Sequence, residues 1–337
     1  MSTATVPGSV GSRIHRHVEH VMGMPISLAL RGRHASSAAG QEAWQAVINQ
    51  LREVDLIFST YRDDSIINRL DRAELVIEEC PPEVAEVLEL GRQAEQVSDG
   101  AFSINLPTTD GRRRLDPSGV VKGWAAQRAS QFLTALDETD FCLSAGGDIV
   151  CHTAWPNGSA WRIGVEDPHD PTRLIAIVPV RSGAVATSGA AHRGDHLIDP
   201  RTGQPPSGVA SVTVVAESLT WADIDATAAY VHGRDAARWL QTRPINGALV
   251  VWADGTTARL PTDLTNDYSA SNYSIERMIH ATTRTPGPSR MGGEFALGAA
   301  VRRQFSPPAA DLGSCAHGVL SVAPGQAAAQ SRQTKIT

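Results

Sequence analysis

The 337-residue sequence predicts an α+β fold, with mixed antiparallel sheets and helices packed on them. Three observations carry that expectation. The first 136 residues contain three helix-periodic segments. Residues 139–216 break into short β-rich runs separated by Gly, Pro and Asp. A helix and a hairpin then follow, with no regular βαβ alternation, which argues against a doubly wound sheet.

Each element has its own warrant. Residues 17–30 are strand-like, interrupted by "MGMP". In "QEAWQAVINQLREVDLIF", Trp44, Val47, Ile48, Leu51 and Val54 fall in an i, i+3, i+4, i+7 series, so a helix is expected. "FSTYRDDSIINRL" reads as a turn-rich loop. "PPEVAEVLELGRQAEQVSDG" opens on Pro, carries Val84, Val87 and Leu88, and closes on Gly100, which are helix start and stop signals. "KGWAAQRASQFLTAL" (122–136) predicts a third helix striped by Ala125, Ala129, Phe132 and Leu136. "DFCLSAGGDIVCHT", "WRIGVED", "LIAIVPV", "AVATSG" and "ASVTVVA" read as strands, "TWADIDATAAYVHG" and "DAARWLQT" as helices. "GALVVWADGTTARL" reads as a hairpin turning at Asp254-Gly255.

Residues 1–16 have the character of a loose tail, and from about 265 the chain loses periodicity in favour of Pro, Gly, Ala and Ser. The expected organisation is a functional domain over 17–264 with tails at 1–16 and 265–337. Hydrophobic content of 42% with 20% charged residues is normal for a globular protein. A net charge of -6 gives no basic excess, so nucleic acid is not the expected partner. The run "GRRRL" (111–115) reads as a solvated turn or loop. The four cysteines, Cys80, Cys142, Cys151 and Cys315, include no C-x-x-C pair, and Cys142 and Cys151 lie among strand-like residues as small apolar side chains. No signal-peptide pattern opens the chain, and no stretch reaches 18 apolar residues. No membrane insertion and a cytoplasmic location are the resulting expectations.

Four segments are candidates for chemistry. In "WADIDATAAYV" (221–231), Asp223 and Thr227 stack on one helix face, with Ile224, Ala228 and Val231 on a neighbouring one. A competing reading makes Thr220 and Asp223 a capping-box variant. In "LDPSGVVKGWAAQRA" (115–129) a Pro-Ser-Gly turn feeds a helix whose N–H groups favour anions, with Lys122 adding positive charge. The alternative is an ordinary loop with a solvated lysine. "SAGGDIV" (144–150) is either a hairpin turn or a close backbone approach to a flat ligand. "ATSGAAHRGDHLIDPRTGQP" (186–205) is dense in polar groups. There His196 can transfer a proton near neutral pH or simply be a surface histidine, and Gly194 and Asp195 between it and His192 weaken a two-histidine metal site.

Taken in order, "VMGMPI", "FSTYRDDSIINRL", "DGAFSI", "LDPSGVVKGWAAQRA", "SAGGDI", "ATSG", "HLIDPRTGQP" and "ADIDATA" resemble the successive motifs of the FAD:protein FMN transferase (ApbE) family, over about residues 20–255. The resemblance implies a T-fold-like α+β domain and a Mg²⁺-dependent transferase. Such an enzyme cleaves the FAD pyrophosphate, releases AMP, and joins FMN by a phosphoester to a Ser or Thr hydroxyl of an acceptor flavoprotein. It implies Gly119 (through its carbonyl), Asp223 and Thr227 as metal-binding positions. It implies FAD contacts at Met22, Tyr61, Ala101, Phe102, Ser103, Asp116, Lys122, His196 and Leu197. Lys122 and His196 would be catalytic, His196 as the base. Magnesium takes hard oxygen ligands and few protein carboxylates, which suits that set. Ser103 stands where the family often has an acidic residue, and the segments 103–116 and 189–196 are short. Two other readings follow from the same residues: a hydrolase giving FMN and AMP, and a non-catalytic FAD-binding protein.

Overall fold

The computed structural model describes residues 13–108, 110–189 and 197–261. The N- and C-terminal tail expectations lie largely outside those residues, although the first strand already begins at His15.

The chain opens with β1 (His15–Val21) and β2 (Met24–Gly32), then α1 (Ala38–Phe58), α2 (Ile66–Asp71) and α3 (Pro82–Val97). A small hairpin, β3 (Asn105–Pro107) and β4 (Arg113–Leu115), leads into α4 (Ser118–Ala129) and the single turn α5 (Gln131–Thr134). β5 (Thr139–Ala145), β6 (Asp148–His152), β7 (Trp161–Asp167), β8 (Asp170–Val180), β9 (Gly183–Gly189) and β10 (Val209–Ala216) follow. α6 (Leu219–His232), α7 (Ala236–Leu240), β11 (Gly247–Trp252) and β12 (Thr257–Leu260) complete the described chain.

Eight strands form one sheet in the order β1-β2-β5-β6-β9-β10-β11-β12, with every neighbouring pair antiparallel. Side chains alternate between its faces. Ile26, Leu28, Phe141, Leu143, Val150, Ala186, Val212, Val214 and Val250 enter a core shared with the helices. Ala29, Cys142, Ile149, Cys151, Val185, Val215 and Leu249 enter a second core, closed by Trp161, Ile163, Val165 and Val178 of the β7–β8 hairpin. Both faces are therefore covered, which is why these strands read as unbroken apolar runs. Cys142 and Cys151 are cross-strand partners in this second core, with their sulfurs 3.5 Å apart, and burial pushes the Cys151 thiol up.

Three expectations change. The segment expected as a loop at 58–70 contains α2, started by Ser65, whose hydroxyl accepts from the Asn68 N–H at 3.3 Å. The third helix begins at Ser118 and ends at Ala129, because the Ser130 hydroxyl bonds back to the Gln127 carbonyl at 2.7 Å and the chain restarts as α5. That break puts Leu133 in the core and leaves Phe132 42% exposed, against the predicted stripe. Finally, the Arg run at 111–115 is exposed as expected, but its second half is the strand β4.

Candidate active site

The candidate site lies on the helix face of the sheet, where α4 and α6 cross over the ends of β6 and β9. Two glycine positions allow that crossing. A β-carbon on Gly123 would stand 2.9 Å from the Leu219 carbonyl oxygen and 3.0 Å from Asp223 Cβ, so only glycine permits α4 and α6 to lie this close. A β-carbon on Gly119, one turn earlier, would stand 3.0 Å from the ring of Phe102.

The capping reading of Thr220 and Asp223 does not hold. The N-cap of α6 is Ser218, Thr220 is buried inside the helix, and the Leu219 N–H donates to the Gln127 side chain of α4 at 2.7 Å. Asp223 is thus released from end-capping. It sits 2% exposed, with Oδ1 3.2 Å from Lys122 Nζ. Most of α6 is buried, its polar Asp223 and Asp225 included, in keeping with the largely apolar text of the segment. The reason is its place between the sheet and α4, with no side left for water.

Lys122 also contacts Asp148 Oδ2. Asp148 begins β6 and is 1% exposed, and its other oxygen accepts from the Thr187 backbone N–H at 3.0 Å. On α6, Thr227 Oγ1 lies 2.9 Å from Ser188 Oγ of β9. Asp223, Lys122, Asp148 and the Thr187 backbone, with Thr227 on Ser188 beside them, form a series of polar contacts joining α4, β6, β9 and α6. Buried charges of this kind persist only when paired.

The structure brings Lys122 against Asp223, with Gly119 one turn before Lys122 on α4 beside Phe102 and Thr227 one turn after Asp223 on α6. Ala101, Phe102 and Ser103 are buried, and Ser103 Oγ accepts from its neighbour Asn105 N–H at 3.0 Å. Asp116 holds the start of α4, accepting from Ser118 N–H at 3.2 Å and from Arg114 at 2.6 Å. Met22 occupies the β1–β2 turn, partly buried, and Leu197 packs partly against the helix-side core. Tyr61 is 97% exposed, in the segment between α1 and α2. His196 lies outside the described residues. "SAGGDIV" resolves as the two-residue turn of the β5–β6 hairpin, with Gly146 and Gly147 at positive φ.

Asp148, Ser188 and Gln127 lie in candidate segments but were not singled out as site residues from the sequence. Asp148 had a signal: an acidic residue beginning an apolar strand must find a partner when both faces are covered. Ser188 had one too, since Ala184, Ala186 and Ser188 share one face of β9 by alternation. Gln127 had none, because only the crossing of α4 and α6 brings it to a helix end.

Hard oxygen donors from a buried carboxylate and paired hydroxyls suit a magnesium-like cation. Among the described residues, no group of three or more His, Cys, Asp or Glu side chains gathers, so a cation here takes mixed donors and not a carboxylate or imidazole cage.

Fold and site together define an antiparallel sheet with helices on one face, carrying buried charged groups where two of those helices cross. The sequence profile of the ApbE family matches residues 22–109 and 105–250, and the chain belongs to that family. FAD:protein FMN transferase of Rhodobacter capsulatus is 33% identical over 159 residues, covering 44% of this chain and 30% of the relative. The protein of that name from Klebsiella pneumoniae is 31% identical over 134 residues, covering 37% and 38%. The matches thus span about a third of those relatives' length. Among solved structures, the ApbE protein of Thermotoga maritima covers 74% of this chain and 98% of its own, with TM-score 0.63 and 23% identity. The Pseudomonas stutzeri flavinyl transferase ApbE covers 74% and 96%, with TM-score 0.64 and 23% identity. Both share this fold.

Proposed function

We propose that this chain is a Mg²⁺-dependent FAD:protein FMN transferase. The observation that carries the reading is the meeting of the Lys122 ammonium with Asp223 at 3.2 Å, one helical turn from the Thr227 hydroxyl. Family membership and the names of the relatives support it.

The reaction breaks the P–O–P linkage of FAD and forms a P–O bond between the FMN phosphate and a Ser or Thr hydroxyl of an acceptor flavoprotein. The hydroxyl proton leaves to a base, and AMP departs with the bridging oxygen. Asp223, Thr227 and the Gly119 carbonyl would hold Mg²⁺, which supplies charge neutralisation for the diphosphate and the departing phosphate. Lys122 adds a positive charge at the same place. His196 takes the hydroxyl proton in this reading. Buried Phe102 beside Gly119 and partly buried Met22 and Leu197 provide apolar surface for the flavin, while exposed Tyr61 is free to close over it. No helix among the described residues is long and apolar enough to cross a membrane.

The test is incubation of the purified chain with FAD, Mg²⁺ and a flavoprotein acceptor bearing a Ser/Thr site. A flavin-fluorescent acceptor band that survives denaturation, together with equimolar AMP, is the expected result. AMP and FMN without a labelled band make the chain a pyrophosphatase. Bound FAD without turnover makes it a binding protein.

A further inference from the structure

We propose that Asp148 is the positioning residue of this site: it anchors the Lys122 ammonium to the sheet, so that a divalent cation can displace that ammonium from Asp223. The inference rests on the transferase reading, which places a cation at Asp223, and it adds a role for a residue outside that ligand set.

The geometry distinguishes the two carboxylates that touch Lys122. Asp148 stands at the start of a strand, immediately after a two-residue turn, and is 1% exposed. One of its oxygens is fixed by the Thr187 backbone N–H at 3.0 Å, and the other meets Lys122. Removing the ammonium would leave a charged carboxylate buried against the backbone, a strongly unfavourable state. Asp223 is different: a divalent cation can take the place of the ammonium there without leaving the carboxylate uncompensated. The Lys122–Asp223 contact is therefore the exchangeable one and the Lys122–Asp148 contact the fixed one. A lysine has a flexible four-carbon stem, so it needs such a tether to hold one position. Without the tether the ammonium, already 3.2 Å from Asp223, pairs with it more tightly and competes more strongly with the cation.

Mn²⁺ binding, followed by the electron paramagnetic resonance of free Mn²⁺, tests this without turnover. Asp148→Asn keeps the side-chain volume and an oxygen for the Thr187 N–H. It is expected to weaken Mn²⁺ binding by about tenfold or more, as Lys122 loses its second carboxylate and is harder to displace from Asp223. Adding Lys122→Met removes the competitor, and the double variant is expected to return to within about threefold of the wild type. A purely structural role for Asp148 predicts no such rescue. Unchanged Mn²⁺ affinity in Asp148→Asn, or a double variant as weak as the single, overturns the inference. Should the single variant not fold, the double variant decides alone: affinity within about threefold of wild type supports the tether, and a loss of about tenfold overturns it. Asp223→Ala separates the two ideas. If it binds Mn²⁺ as the wild type does, the cation site itself is wrong. If it loses binding while Asp148→Asn does not, only the tether is wrong.

Discussion

Helix α6 carries two buried acids two residues apart, and they are held in opposite ways. Asp223 meets a lysine shared with Asp148, one turn from the hydroxyl pair Thr227–Ser188. Asp225 meets Arg243 at 2.9 Å, and that guanidinium lies over Trp221 and Trp239 at 5.6 and 5.5 Å. The first pairing uses a flexible point charge whose partner can be exchanged. The second uses a planar charge sandwiched by indole rings, which is suited to staying put. The same residue type on the same helix thus pairs with a shared lysine on one face and clamps the turn after α7 on the other. Burial alone does not distinguish them, since Asp223 is 2% and Asp225 1% exposed. The chemistry of the partner does.

The contrast can be broken at either end. Asp223→Asn is expected to lower FMN transfer by about 1,000-fold or more, some 4 kcal/mol of barrier, while its melting temperature stays close to that of the wild type. Equal activity of the two proteins removes Asp223 from the site. Arg243→Ala leaves Asp225 buried without its partner and is expected to cost about 3 kcal/mol in urea unfolding, with the folded fraction still active. A loss of activity out of proportion to folding would show that the clamp also serves the site.

The clamp also has a pH signature. Burial pushes the Asp225 carboxyl from 3.8 up to about 6, and Arg243 offsets only part of this. The folded state therefore binds the proton more tightly than the unfolded chain does. Its contribution is complete below about pH 4 and is lost as pH rises through about 6, amounting to about 3 kcal/mol. Asp225→Asn should flatten that decline in stability between pH 4 and 7, and an unchanged slope rejects the assignment.

Two smaller changes sharpen the site side. Gly123→Ala drives a methyl into the Leu219 carbonyl and the Asp223 side chain, and is expected to cost about 2 kcal/mol and to lower activity along with it. A fully stable, fully active Gly123→Ala protein means the helices do not need this approach. Ser188→Ala removes the hydroxyl that orients Thr227, with about a tenfold fall in transfer expected and little change in melting. No change in kcat/KM leaves Ser188 outside the site.

Much of this was legible beforehand because it depends on local pattern. The periodicity of residues 41–58 and the Pro-to-Gly frame of 82–100 mark α1 and α3. The turns at Gly146-Gly147 and Asp254-Gly255 mark their hairpins, and the i, i+4 spacing of Asp223 and Thr227 holds on any helix. The elements that were misread are those where a side chain overrides the pattern. Ser130 back-bonds and ends α4, and Ser65 caps a short helix inside what looked like loop.

The chain order of strands and helices, the turn glycines and the spacing within each motif follow from the sequence, because they involve neighbours a few residues apart. Which acid pairs with the shared lysine and which with the stacked arginine was decided by the fold. Lys122, Asp148, Ser188 and Asp223 come from four separate elements, and only the close crossing of α4 over α6, made possible at Gly123, brings their charges within reach of each other. A carboxylate's role depends on the partner and the dielectric around it, and no residue's own letter carries either.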